Sequence, residues 1–451
     1  MRDLRRQALE SGKTTSRKAR SKVSSPANSK PSSPATSRAA SRVRGNSSRA
    51  GSDDEEELSD ETSFSVGSID EVLNGDSTEH SGDAWRLELA DRVEEILARK
   101  GSTVQGREKC YKAYVHILTS QYAEEEIRGK EAELVVAFLK SIKEEKTERE
   151  TILAVKALAM TLMTSPSDLI YEAVSAPLKR AISHSTSTAC KAASIHTLGT
   201  CTFYGGASDD EILENMDFLL EIITSDGHII AAPDEPEPVT AALEEWGFLC
   251  TLLDDISTQS EDAVEAFAEQ ITSSFPSVQI AAGENIALLF EKSFKQVDPE
   301  EDSLNDYADS EIMSDPDETP GVPKLIRLYP AYRRTDQLIQ SLQSIASIST
   351  HHLSKTDRKA LRTNFADILN SVEYPTRGPK YQTAISDETG KRYGSRMVVR
   401  IHKGGVMRID KWWKLTRLQG LKRVLQGGFV GHYEKNEAVF ETLPIMMSND
   451  R

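Results

Sequence analysis

Lys355, Arg358, Lys359 and Arg362 recur at i, i+3, i+4 and i+7, a spacing that places four cations on one helix face. Leu361, Phe365, Ile368 and Leu369 fall on the opposing side and supply its core edge. Arg400, Lys403 and Arg408 gather on and around a Lys403-Gly404-Gly405 turn, and Lys411, Lys414, Arg417, Lys422 and Arg423 decorate the segment that follows. If coplanar, these groups neutralise several phosphates. Binding would then fall with salt at a log–log slope of roughly −0.7 to −0.9 per phosphate. Trp412 shares a seam with Leu415 and reads as core, whereas Trp413 points elsewhere and is the better candidate for a partner contact. The bland reading is that half of these cations merely solubilise helices.

No competing chemistry is legible. Gly12-Lys13-Thr14 resembles the end of a phosphate-binding loop, but Gln7 stands where that motif needs glycine and no strand flanks it. Gly427-Gly428-Phe429-Val430-Gly431 follows a helix and reads as its stop. No HExxH or GxSxG occurs. Cys190, His196 and Cys201 match no zinc spacing, and all four cysteines sit among apolar neighbours, as packed free thiols do in a reducing compartment. The expectation is a chain with no catalytic residue, metal or cofactor, and with no small-molecule substrate.

The elements that must position the cations follow from charge and periodicity. Net charge is −16, but it is segregated. Residues 1–50 carry 13 Lys/Arg against Asp3 and Glu10, residues 324–451 carry 23 against 11 acids, and the middle carries 19 against 58. Basic ends meet a polyanion while the body stays solvated. The low-complexity arm 1–82 has too little apolar surface to offset chain entropy and is expected to be disordered. Within it, Arg17, Lys18, Arg20 and Lys22 form a candidate import patch or nucleic-acid arm, and Ser25-Pro26 and Ser33-Pro34 are candidate phosphorylation sites. Residues 298–318 hold ten acids and no Lys or Arg, which reads as a linker that sets the basic end apart. No apolar run approaches 18 residues, so no membrane partner is expected.

Between Trp85 and Phe294 the period is helical, with segments at 85–99, 107–121, 130–142, 148–164, 167–182, 188–200, 209–224, 238–253, 260–272 and 277–294. Ser208 and Glu211 form a capping-box pattern at one helix start. Short joins between helices of this length predict a mainly α fold, an armadillo/HEAT-like helical solenoid. The expected divisions are an arm (1–82), the helical body (83–297), an acidic linker (298–320), further helices (321–353) and a small basic α+β C-terminal domain (354–445). In that last unit 355–372 and a Trp412–Leu425 stretch read as helices. Met397–His402 and Val406–Ile409 read as hairpin strands.

The stretch from Ser354-Lys355 through Arg358-Lys359, Phe365 and Leu369, with Ile409-Asp410, Trp412, His432, Asn436 and Phe440, resembles the C-terminal domain of the interferon-related developmental regulator family. That resemblance implies an armadillo-like body, no catalytic activity and a regulatory role. Members are described as ribosome-associated repressors of translation or as transcriptional co-regulators acting through chromatin and deacetylase complexes. The leading expectation is therefore a non-enzymatic regulator that contacts the ribosome, through rRNA, with its basic C-terminal region and represses translation by occlusion. The alternative is a nuclear scaffold that recruits chromatin or co-repressor proteins. The expected location is the cytoplasm, with the nucleus as a further compartment.

Overall fold

The computed structural model of the protein describes residues 84–99, 101–296, 312–313, 325–347, 353–375, 377–380, 398–401 and 405–444. All belong to one compact unit, Phe64–Arg451. The arm cations Arg17, Lys18, Arg20 and Lys22, and Lys403 of the turn, lie outside the described residues.

Helices pair along the chain. They are α1 (Ala84–Leu97), α2 (Val104–Ser120), the single turn α3 (Glu124–Ile127), α4 (Glu131–Glu144), α5 (Glu148–Thr164), α6 (Ile170–His184) and α7 (Thr188–Tyr204). Then follow α8 (Asp209–Thr224), α9 (Pro236–Cys250), α10 (Ser257–Gln270), α11 (Pro276–Lys292), α12 (Thr335–Ala346) and α13 (Lys355–Glu373). The predicted body segments each correspond to one of these helices, and the Ser208–Glu211 capping box forms at the start of α8. Ser354 caps α13, its hydroxyl accepting from the Asp357 N–H at 3.0 Å.

Helices α1, α4, α6, α8 and α10 make a first layer, and α2, α5, α7, α9, α11 and α13 a second; second-layer helices each pack on their predecessor, and each helix packs on its pair-mate in the other layer. This is a solenoid-like array. First-layer α1 buries only Leu89, Val93 and Ile96, the single stripe of a surface helix. Second-layer α5, α7, α9 and α11 are buried on nearly every side, as helices covered on both faces must be.

The second cover comes from the chain's own C-terminal end. After hairpin β4 (Val398–Ile401) and β5 (Gly405–Arg408) come α14 (Trp412–Leu425), a 3₁₀ turn (Gln426–Gly428), α15 (Phe429–Lys435) and α16 (Glu437–Thr442). Helix α14 lies against α2, α5, α9 and α11. The expectation of an acidic linker that lets the basic end stand apart needs correcting here. Leu415, Leu418, Leu421, Leu425, Phe429 and Tyr433 join the same core as the body helices. Three short strands, β1 (Phe294–Gln296), β2 (Ile312–Met313) and β3 (Leu325–Arg327), make a sheet in the order β1-β3-β2 where only a linker is legible.

Polar latches hold this tail, and their logic is that of helix ends. The last carbonyls of a helix have no partner inside it. His432 Nε2 donates to Leu118 O at the end of α2 (2.7 Å), and Asn436 Nδ2 donates to Met163 O at the end of α5 (2.8 Å). The Arg417 guanidinium donates to Thr251 O just past α9 (2.8 Å). Tyr204, ending α7, shares a hydroxyl bond with Thr442 (2.8 Å). Close approach also requires glycine at Gly428, where an added Cβ would sit 1.7 Å from Thr119 O. Among the described residues no helix is long and apolar enough to cross a membrane.

Candidate nucleic-acid interface

Helix α13 is oriented by its apolar side. Leu361, Phe365 and Ile368 are fully buried, and the last two lie over Gly283 of α11, where a Cβ would meet Ile368 Cδ1 at 2.6 Å. The opposite face is thereby turned outward. Lys355, Lys359 and Arg362 are exposed and Arg358 is half-buried, with no carboxylate paired to any of the four among the described residues. Like charges at i, i+4 each cost a few tenths of a kcal/mol, about 0.2–0.5. The face is thus mildly destabilising within the chain and favourable only beside an anion.

The cations of α14 have a different fate. Arg417 donates to Thr251 Oγ1 (2.9 Å), Thr251 O and Thr442 O (3.0 Å), with its guanidinium 5.6 Å from the Phe203 ring and 5.2 Å from that of Trp413. Burial lowers its pKa. Arg423 pairs with Glu245 (2.8 Å) and Glu244 (3.5 Å) of α9. Lys414 pairs with Asp410 at 2.6 Å, and Lys422 is half-buried and already engaged. Lys411 is half-buried beside Glu291. Of the expected surface, Arg417 and Arg423 are therefore withdrawn, because the leucine seam of α14 faces α9 and α11 and carries both side chains inward. Trp413 is half-buried with Lys414 and Arg417 against its ring, so its surface is only partly open. Trp412 is core, as its seam position implies, and its indole N–H donates to Ser371 Oγ at 2.7 Å. Arg408 is exposed on β5. Arg400 sits opposite Val406 in the hairpin register.

The N-terminus of α14 is capped by a residue far away in sequence. The Glu291 carboxylate accepts from the Trp412 N–H (2.8 Å) and the Trp413 N–H (3.1 Å), two of the four donors a helix start leaves unmatched. Burial raises the Glu291 pKa, while Lys411 and these two N–H groups oppose the rise. A second network joins α7, α9, α11 and α14. His196 Nδ1 contacts Glu245 Oε1 at 2.9 Å, and Gln419 donates to Glu284 at 3.1 Å. Gly199 makes room for it, since a Cβ there would fall 1.9 Å from Glu245 Oε2.

Burial pushes Glu284 up to about 7, with Glu244 adding to the rise and Gln419, Arg423 and Lys380 opposing it. A carboxyl whose folded value exceeds its unfolded one binds its proton more tightly in the fold. Its contribution is therefore complete below the ordinary value of 4.5 and is lost as pH climbs through about 7. Glu284→Gln is expected to raise the melting temperature at pH 8, by an amount corresponding to about 2 kcal/mol, and to leave it nearly unchanged at about pH 4, below the ordinary carboxyl value. Equal shifts at both pH values in thermal melts would contradict this.

Sequence reasoning missed Glu291, Glu245 and Glu284 as determinants. Their signal is a carboxylate inside an otherwise apolar helix, as in Ala241-Ala242-Leu243-Glu244-Glu245-Trp246, which must find a cation or a donor. Among the described residues no group of three His, Cys, Asp or Glu side chains could hold a metal ion.

A two-layer helical array, closed by its own tail and bearing one cationic helix face without ion-pair partners among the described residues, is a fold of the helical-repeat class. The interferon-related developmental regulator family model matches residues 46–373, and the chain belongs to that family of regulators. Over 394 residues it is 27% identical to an uncharacterized protein of Schizosaccharomyces pombe, covering 84% of this chain and 81% of that one. It is 23% identical over 395 residues to interferon-related developmental regulator 1 of Sus scrofa, and 22% identical over 395 residues to that of Homo sapiens. Each of these alignments covers 84% of this chain and 75% of the relative.

Proposed function

We propose that the protein is a non-enzymatic regulator that associates with the ribosome by laying the α13 face on rRNA, and that it represses translation by occluding the site it covers. The observation that carries this reading is the set of four cations, Lys355, Arg358, Lys359 and Arg362, on one helix face with no carboxylate paired to them among the described residues. The rigid array behind them serves as the body that occludes. Arg408 adds charge to the same C-terminal region.

The test is sucrose-gradient sedimentation of the tagged protein with ribosomes as salt is raised. Four neutralised phosphates correspond to a log–log slope of roughly −3. Reversing Lys355, Arg358, Lys359 and Arg362 together to Glu is expected to abolish co-sedimentation without lowering the melting temperature, because none of the four is buried in the core. Ribosome binding retained by that folded variant would overturn the assignment.

A further inference from the structure

At the far end of α13 from its cationic face lies a cleft of about 640 Å³, walled by the end of α11, β1, β3, the loop leading into α12 and the end of α13. It is within the size range of small-ligand sites. Its walls combine Phe294, Tyr332 and Tyr374 with Arg327 and Arg333. Tyr374 is held in place by Arg377, whose guanidinium lies 4.0 Å from the ring centre and is itself anchored to Asn370 Oδ1 at 2.7 Å. Tyr332 is nearly buried, and Arg334, paired with Glu265, sits 5.8 Å from its ring. Arg333 is exposed. Its backbone N–H donates to Glu261 (3.1 Å), while its guanidinium has no ion pair among the described residues.

Fixed aromatic rings beside a free guanidinium are the chemistry that receives an unstacked base and its phosphate. Aromatic walls also accept proline-rich peptides. Charge decides between them. Arg327 is already engaged within the chain and Glu373 is a carboxylate of the cleft wall, so the charge comes from Arg333 and from the helix that closes the cleft, which carries the four cations on its first turns. From Arg362 to Tyr374 the helix rises on the order of 18 Å, a span of a few nucleotides.

We propose that this cleft is a base-stacking site for single-stranded RNA, and that the α13 face holds the phosphates of the same strand. The inference rests on the RNA reading of that face and adds a subsite to it. Tyr374 supplies the ring and Arg333 the phosphate contact.

The experiment titrates the full chain into a short oligoadenylate carrying one 2-aminopurine, whose fluorescence is quenched on stacking. Wild type is expected to bind and quench. Stacking contributes about 1–3 kcal/mol per base, so Tyr374→Leu should weaken binding roughly tenfold and abolish the quench. Tyr374→Phe, which keeps the ring, should preserve both and thus separates loss of stacking from loss of fold. Unquenched binding that Tyr374→Leu leaves unchanged would overturn the cleft assignment while leaving the cationic face intact. Failure of wild type to bind any RNA would overturn both. A proline-rich peptide that binds with Tyr374 dependence, in the absence of RNA binding, would assign the cleft to peptide instead.

Discussion

Arg423→Ala is expected to destabilise the protein by about 3–5 kcal/mol, because it leaves the Glu245 carboxylate buried without its cation. Glu245 is 2% exposed, and its Oε1 accepts from Arg423 Nη2 at 2.8 Å, with His196 Nδ1 at 2.9 Å from the same oxygen. Its other oxygen has no hydrogen-bond partner, so little remains to compensate a lost guanidinium. Breaking a buried pair by removing one partner costs far more than the pair contributes over an apolar substitute. The double variant Glu245→Gln with Arg423→Ala should therefore recover part of the loss, and a double-mutant cycle in urea reads the coupling. Additive losses would mean that the two side chains do not depend on each other. The same variant should loosen α14 from α9, so Trp412 fluorescence would change with the unfolding midpoint.

Glu291→Ala carries the second largest expected loss. Two backbone N–H groups of α14, at Trp412 and Trp413, depend on this one carboxylate. An unmatched buried donor costs about 1–3 kcal/mol, less for the part-buried Trp413 N–H, so a total of about 2–5 kcal/mol is expected. In a unit of this size that corresponds to a fall in melting temperature on the order of 5–10 °C. Glu291→Gln keeps one acceptor oxygen and should fall between wild type and alanine. A melting temperature unchanged by Glu291→Ala would show that water reaches the start of α14 and that the cap is dispensable. The loss should also exceed that of an ordinary N-cap deletion, about 1 kcal/mol, because this cap joins two segments far apart in the chain as well as starting a helix.

These two side chains show why half of the candidate site was legible and half was not. On α13, the cations and the apolar residues separate cleanly at helical spacing, so reading one face also assigns the other. Lys355, Lys359 and Arg362 emerge exposed as that spacing predicts. On α14 the same argument fails for Arg417 and Arg423. A long side chain beside a leucine seam can extend outward to water or inward to a carbonyl or carboxylate, and local periodicity does not distinguish them. Thr251 O, Glu244 and Glu245 decide it, and they stand far back in the chain. The motif residues Trp412, His432 and Asn436 have a comparable explanation. They are latches onto Ser371 and onto the open carbonyls of α2 and α5, which accounts for their chemistry without any ligand.

By itself the sequence determined the paired body helices, α13 and α14, the α8 capping box, the hairpin strands and the cationic face of α13, because each depends on periods and end signals a few residues long, whereas the short α3, α15 and α16 were not legible. Tertiary structure alone decided that the C-terminal helices close the second layer rather than stand apart. Charge segregation pointed to a separate basic domain. The apolar, doubly covered surfaces of α5, α7, α9 and α11 needed a second partner, and the leucine seam of α14 was the available one. Burial of that seam outweighs the exposure of a few cations to solvent, and those nearest the contact were drawn in and matched with acceptors on α9 and just past its end.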